Sequence, residues 1–291
     1  MTENRLNMTD AARLRAEERA ARAAAALRAN LQRRKQQSRA RAAEPAVRRP
    51  VVLFISQIGD LGPDSARAFC RLPGGDDETV WMRACLDSLG LLDRIEYRSV
   101  KTHLGEDLPT DLAGIDAVIL GGSVANVHDG HEWQGRILDF LRAWRATGRP
   151  FFGICGGHQL ATVLEGGTVE VNPVGVTAGT FPLTRTTAGE DHFLFAGFPS
   201  EAAFHFGNYD RVAVPPAGAV VLATRPDLPA AALDHGGNWL SVQFHPEATV
   251  DLFAVVWANT KPEYLANYHP LPFCERMLAN FLAGTGVLPP P

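Results

Sequence analysis

Between residues 51 and 165 the chain alternates short apolar runs with longer amphipathic ones. VVLFIS (51–56), DAVILGG (116–122) and RPFFGI (149–154) are dominated by large apolar residues, the pattern of strands buried on both faces, and RIEYRSV (94–100) alternates like a strand. Between them, DETVWMRACLDSLGLL (77–92) reads as a helix with Asp77 as a candidate cap. In HEWQGRILDFLRAWRATG (131–148), Trp133, Ile137, Phe140, Leu141 and Trp144 recur at helical spacing before a glycine stop. Residues 156–165 read as a further helix. This succession predicts an α/β fold with a mostly parallel central sheet and helices on both faces.

The second half changes character. From 168 to 243, short β-like runs (TVEV, GTFPLT, AAFHF, VVLAT, AAALDH, NWLSVQF) are separated by Gly and Pro, which predicts a β-rich excursion before the chain rejoins the main sheet at 239–244. PLPFCERMLANFLAGTG reads as a closing helix. Residues 57–77 form a long Gly/Pro/Asp-rich loop, a kind of segment that often carries function.

Charge divides the chain in two. The net charge is −4, yet residues 1–49 hold thirteen Arg/Lys against five Asp/Glu. A basic Ala/Arg-rich tail, helical or disordered, is therefore expected over 1–49, with a globular domain over 50–291. Leu14, Leu27 and Leu31 are the only large aliphatic residues along TDAARLRAEERAARAAAALRANLQRRKQQSRARAA, too few for one helix to bury itself. The tail is a candidate docking element for a partner, or an electrostatic anchor. Such an asymmetry also fits a tail that grips nucleic acid, but a nucleic-acid partner is not the leading expectation. The four cysteines (Cys70, Cys85, Cys155, Cys274) form no CxxC pair, which suits a reducing cytoplasm. No apolar run approaches bilayer length, and the N-terminus lacks a secretory apolar core.

The chemistry centres on PFFGICGGHQLATVL (150–164). A buried strand, a G-x-C-x-G turn and a helix make the outline of a nucleophile elbow at Cys155, with flanking glycines relieving the crowding of a sharp turn. The helix N-terminus beneath it favours negative charge on the sulfur. VQFHPEA (242–248) supplies a base, His245, and an orienting acid, Glu247, at the end of another predicted strand. In parallel sheets ligands gather at the carboxyl ends of strands. The N–H of Gly156, and those of Gly121 or Gly122 at the end of a third strand, are candidate oxyanion donors. His128, His131 and His192 match no metal-site spacing and read as loop histidines; neither a metal nor a cofactor is expected.

GICGGHQL followed by QFHPE resembles the class I (triad) glutamine amidotransferases. ILGGSVANVHDGHEW, EGGTVEVNPVGVTAGTFPLT and DRVAVPPAGAVVLATRPDLPAAALDHGGNWLSVQFHPE extend the resemblance over roughly residues 50–285. It implies a flavodoxin-like fold, a Cys155–His245–Glu247 triad and a γ-glutamyl thioester on Cys155. It also implies a substrate contact from Gln159 and oxyanion donors from Gly156 and Gly121 or Gly122. AFHFGNYDRV departs from the family's compact His-Gly-Asp turn, spreading His205, Asn208 and Asp210 apart, and VGVTAGTFP lacks the acidic or aromatic residues many relatives carry there.

The expected activity is glutamine amide hydrolysis. With no G-x-x-x-x-G-K-[ST] segment present, ammonia is expected to pass to a separate acceptor synthetase, with the tail as a docking element. The alternatives are a γ-glutamyl hydrolase acting on a γ-glutamyl amine or peptide, and a non-enzymatic binding module using the tail.

Overall fold

The computed structural model describes residues 48–62, 65–258 and 260–289. Of the tail expected at 1–49, residues 1–47 lie outside the described residues. The first strand, β1 (Val51–Ser56), opens an eight-stranded sheet. It is joined by β2 (Glu96–Lys101), β3 (Ala117–Leu120) and β4 (Phe151–Ile154), all at the predicted runs. The helices between them are α1 (Glu78–Ser88), α2 (Glu132–Ala146) and α3 (Gly156–Leu164). Asp77 caps α1 by accepting the Thr79 N–H at 2.9 Å, and His131 with Gln134 closes a capping box on α2.

Seven further strands and ribbons follow: β5 (Thr168–Val171), β6 (Thr177–Pro182), β7 (Thr184–Arg185), β8 (Ala203–Asn208), β9 (Asp210–Val214), β10 (Val220–Arg225) and β11 (Leu228–Asp234). The chain then returns as β12 (Trp239–Val242), and α4 (Val250–Ala258) and α5 (Arg276–Gly284) close it. The large sheet runs β2-β1-β3-β4-β12-β11-β10-β7. From β2 to β12 neighbours pair parallel; from β12 outward they pair antiparallel. The fold is thus α/β with a mostly parallel centre, as expected.

The excursion is not one body. Strands β7, β10 and β11 extend the main sheet, whereas β5–β9 and β6–β8 form two separate two-stranded ribbons. Helix α4 has no counterpart in the sequence reading, because VDLFAVVWA is apolar almost throughout and shows no amphipathic stripe.

Alternation along β1 divides the core. Val52 and Phe54 face a cluster with Ile119, Phe152 and Phe281, while Leu53 and Ile55 face one with Val118, Trp144 and Leu160. Burial on both faces leaves the parallel strands' carboxyl ends as the place where the chain can present polar chemistry. No helix among the described residues is long and apolar enough to cross a membrane.

Candidate active site

Strand β4 delivers Cys155 and α3 leaves from it. The residue takes φ 49°, ψ −101°, a conformation that costs a non-glycine residue about 1–3 kcal/mol. The surroundings enforce it: the Cys155 N–H donates to Val242 O at 2.8 Å, its carbonyl accepts the Gln159 N–H at 3.1 Å, and the Gly157 N–H donates to Gly121 O at 3.1 Å. The glycines are there for close approach. A Cβ on Gly157 would lie 2.5 Å from Leu120 O, and one on Gly153 would lie 2.6 Å from Gly157 O.

His245 and Glu247 leave the neighbouring parallel strand. Phe244 is fully buried and anchors the chain beyond β12, and the His245 N–H donates to His205 O at 2.9 Å. His245 Nδ1 lies 2.8 Å from Glu247 Oε1. A carboxylate only accepts, so Nδ1 carries the hydrogen and Nε2 is left for the thiol. Burial disfavours the imidazolium, but the Glu247 carboxylate and the nearby Cys155 sulfur outweigh it and raise the His245 pKa well above the usual value. Cys155, His245 and Glu247 are therefore brought together. The second Glu247 oxygen, Oε2, is buried without a hydrogen-bond partner.

Of the oxyanion candidates, Gly156 opens α3 directly after Cys155, and its N–H makes no backbone hydrogen bond among the described residues. Gly121 is corrected. Its N–H is spent on Ile55 O at 3.0 Å, a continuation of the sheet. Gly122 is corrected as well, since its N–H donates to Glu78 Oε1 at 3.1 Å.

Glu78 itself escaped the sequence reading, where it looked like an ordinary acidic residue in a helix's first turn. It is buried beneath the Gly121–Gly122 turn, with Ser56 Oγ 2.7 Å from Oε2. Burial pushes its pKa up to about 8, with the Ser56 hydrogen bond opposing and the Glu247 charge adding to the rise. Gln243 was also missed. Two residues before His245, it donates Nε2 to Cys155 Sγ at 3.6 Å and accepts Gln159 Nε2 at 3.2 Å. The signal was available: positions two apart on a strand share a face.

Two lobes meet at Cys155. The more polar of the two, a cavity of about 280 Å³, sets Asp60, Asn126, Gln159, Asn208 and Asp210 among apolar walls that include Phe69, Val124 and Trp257. Gln159, expected to contact the substrate, is part of this lining. Asn208 and Asp210 line it together, since Asn208 Nδ2 donates to Asp210 O at 2.9 Å and leaves Oδ1 unpartnered. His205 does not join them: its Nδ1 lies 2.9 Å from Thr180 Oγ1, and burial with the nearby His245 lowers its pKa to about 4. The second lobe, about 80 Å³, lies on the His245 side and is mostly apolar. His128 and His192 serve locally, His128 Nε2 lying 3.0 Å from Val169 O and His192 capping a 3-10 turn. No group of His, Cys, Asp or Glu among the described residues is arranged to hold a metal.

Residues 84–259 match the family model described as glutamine amidotransferase class-I. The chain belongs to the class-I glutamine amidotransferase family. Within that family it is 34% identical over 159 residues to a glutamine-hydrolysing GMP synthase from Aeropyrum pernix, covering 55% of this chain and 28% of that protein. It is 30% identical over 142 residues to a γ-glutamyl-L-1-hydroxyisopropylamide hydrolase from a Pseudomonas species, covering 47% and 48%. This chain therefore spans less than half the length of either. A glutamine amidotransferase structure from Thermotoga maritima superimposes with a TM-score of 0.60 over 81% of this chain and 98% of that one, at 17% identity, a likeness of fold. The class-I match includes both the elbow and the QFHPE segment.

Proposed function

We propose that this class-I amidotransferase domain hydrolyses the side-chain amide of glutamine through a thioester on Cys155. Cys155 Sγ attacks the amide carbon, and His245 takes the thiol proton and returns it to the departing nitrogen. Water then attacks the thioester with His245 as base, and Glu247 holds the ring in the required tautomer. The Gly156 N–H is one oxyanion donor, and Gln243 steadies the sulfur. The acceptors of the polar lobe, Asp60, Asp210 and the free Asn208 Oδ1, suit the substrate's α-ammonium group. The observation that carries the reading is the positive-φ cysteine at a strand end, lining one cavity with a histidine that is itself held by a buried carboxylate.

The ammonia goes to a separate synthetase. The synthase relative is more than three times as long as the segment it shares with this chain, and the basic tail at 1–49 is the docking element. The tests are direct. Cys155→Ala lowers glutamate release from glutamine by at least about three orders of magnitude with the circular dichroism spectrum unchanged, and acid-quenched wild type carries one glutamyl group on Cys155 by mass spectrometry. A Cys155→Ala variant that keeps most of the activity rules out the thiol mechanism. Deleting the tail abolishes capture of the acceptor enzyme while leaving the hydrolytic rate intact.

A further inference from the structure

Which amide the site prefers is written into the lobe beside His245. The leaving nitrogen takes its proton from His245, so whatever that nitrogen carries lies on the histidine's side of Cys155, away from the polar lobe. There the wall is Trp81 and Met82 from α1, Leu252, Phe253 and Val256 from α4, and Leu61 from the loop after β1. Ammonia is about the size of water, which needs at most about 30 Å³; the lobe holds about 80 Å³. Most of that wall is apolar, so a small polar molecule gains little from the greater part of it. The polar exceptions stand where a substituted nitrogen needs them: Glu247, with its unpartnered Oε2, and Glu78 both line the lobe.

We propose that the preferred substrates are γ-glutamyl amides of small apolar amines, with the alkyl group seated in this lobe. The inference rests on the thioester chemistry proposed above. The reaction balances with water alone. Cys155 Sγ bonds to the γ-carbon, the C–N bond breaks, and the amine leaves with the proton from His245. Water then splits the thioester to glutamate and free thiol. Gln159, Asn208 and Asp210 hold the glutamyl half whichever amine departs, so glutamine and alkylamides differ at the lobe alone. A methylene well fitted to an apolar wall is typically worth about ten-fold or more in kcat/KM.

The test compares glutamine, γ-glutamyl-ethylamide and γ-glutamyl-isopropylamide on the full chain, by glutamate release and by adduct formation on Cys155. The expected result is a kcat/KM for isopropylamide at least about ten-fold above that for glutamine. Leu252→Trp, which fills the lobe, lowers the isopropylamide-to-glutamine ratio by at least about ten-fold. Leu252→Ala, which enlarges it, shifts preference towards γ-glutamyl-cyclohexylamide, a gain that a misfolded variant cannot produce. Cleavage of glutamine with alkylamides no better than it overturns this inference and leaves the glutaminase reading standing. An unchanged ratio in both Leu252 variants does the same. Cleavage of none of the three, with no adduct on Cys155, removes the thioester chemistry and this inference with it.

Discussion

The floor and the cover of the site are built on different principles. The floor is the carboxyl edge of the parallel strands, where β3, β4 and β12 end in the Gly121–Gly122 turn, Cys155 and the Gln243–Glu247 segment. Its groups are pinned by backbone hydrogen bonds and buried neighbours: Cys155 N–H on Val242 O, Gly157 N–H on Gly121 O, Phe244 in the core. The cover is made by β8–β9 and α4, which contribute side chains such as Tyr209, Leu252 and Val256. The Tyr209 ring sits 6.2 Å from Trp257 and remains half exposed. Reaction type belongs to the floor, where backbone hydrogen bonds and buried neighbours hold each group. Substrate shape belongs to the cover, where a side chain can change without disturbing the sheet.

Substitutions test that division, beginning where the loss is greatest. Glu247→Ala frees the His245 ring and leaves its Nδ1–H without an acceptor, so kcat falls by about 10²–10⁴-fold with KM little moved, read from steady-state kinetics on glutamine. An equal rise in KM places Glu247 in the cover instead. Gly157→Ala drives a methyl group into Leu120 O at 2.5 Å. Neither partner is a flexible side-chain end, and about 2–4 kcal/mol of stability is lost in urea melts, with the elbow as the first casualty.

Glu78→Gln probes the floor's underside through pH. The native carboxyl titrates near 8, against an ordinary value of 4.5. Between those values the native state holds a proton that the unfolded chain has released, so stability falls as pH rises through the window. Glutamine mimics the protonated carboxyl, accepting from Gly122 and donating to Ser56. The variant therefore matches wild type at pH 4.5 and exceeds it by a few kcal/mol at pH 9, roughly the size of the shift. Thermal melts at the two pH values check this, and equal differences at both remove the buried charge from the account. The smallest effect belongs to the cover: Tyr209→Ala raises KM for the glutamyl half by about three- to ten-fold through lost contact area, with kcat and melting temperature nearly constant. A collapse of kcat in that variant dissolves the distinction between floor and cover.

Much of the floor was legible along the chain. The strand runs at 51–56, 116–122 and 149–154, the elbow around Cys155 and the His245–Glu247 pair all announce themselves locally, because burial on both faces and a tight turn each leave a short-range signature. The cover was less so. The TVEV and AAFHF runs were readable as strands, but whether a strand enlarges the main sheet or pairs apart is a long-range matter. Helix α4 hides because VDLFAVVWA carries almost no polar residue to mark a solvent stripe, although only Phe253 and Trp257 are buried.

By itself the sequence determined the parallel α/β centre, the candidates for nucleophile, base and acid, and the glycines that let backbone pass close to Cys155. Only the tertiary structure decided that the Gly121 and Gly122 amides are spent on Ile55 and Glu78, that Gln243 reaches the sulfur, and that the site divides into a polar and an apolar lobe. The physical reason is one of range. Periodicity and turn chemistry are set by neighbours along the chain, whereas a hydrogen bond has one donor to give, and which acceptor takes it depends on residues that only folding brings within 3 Å.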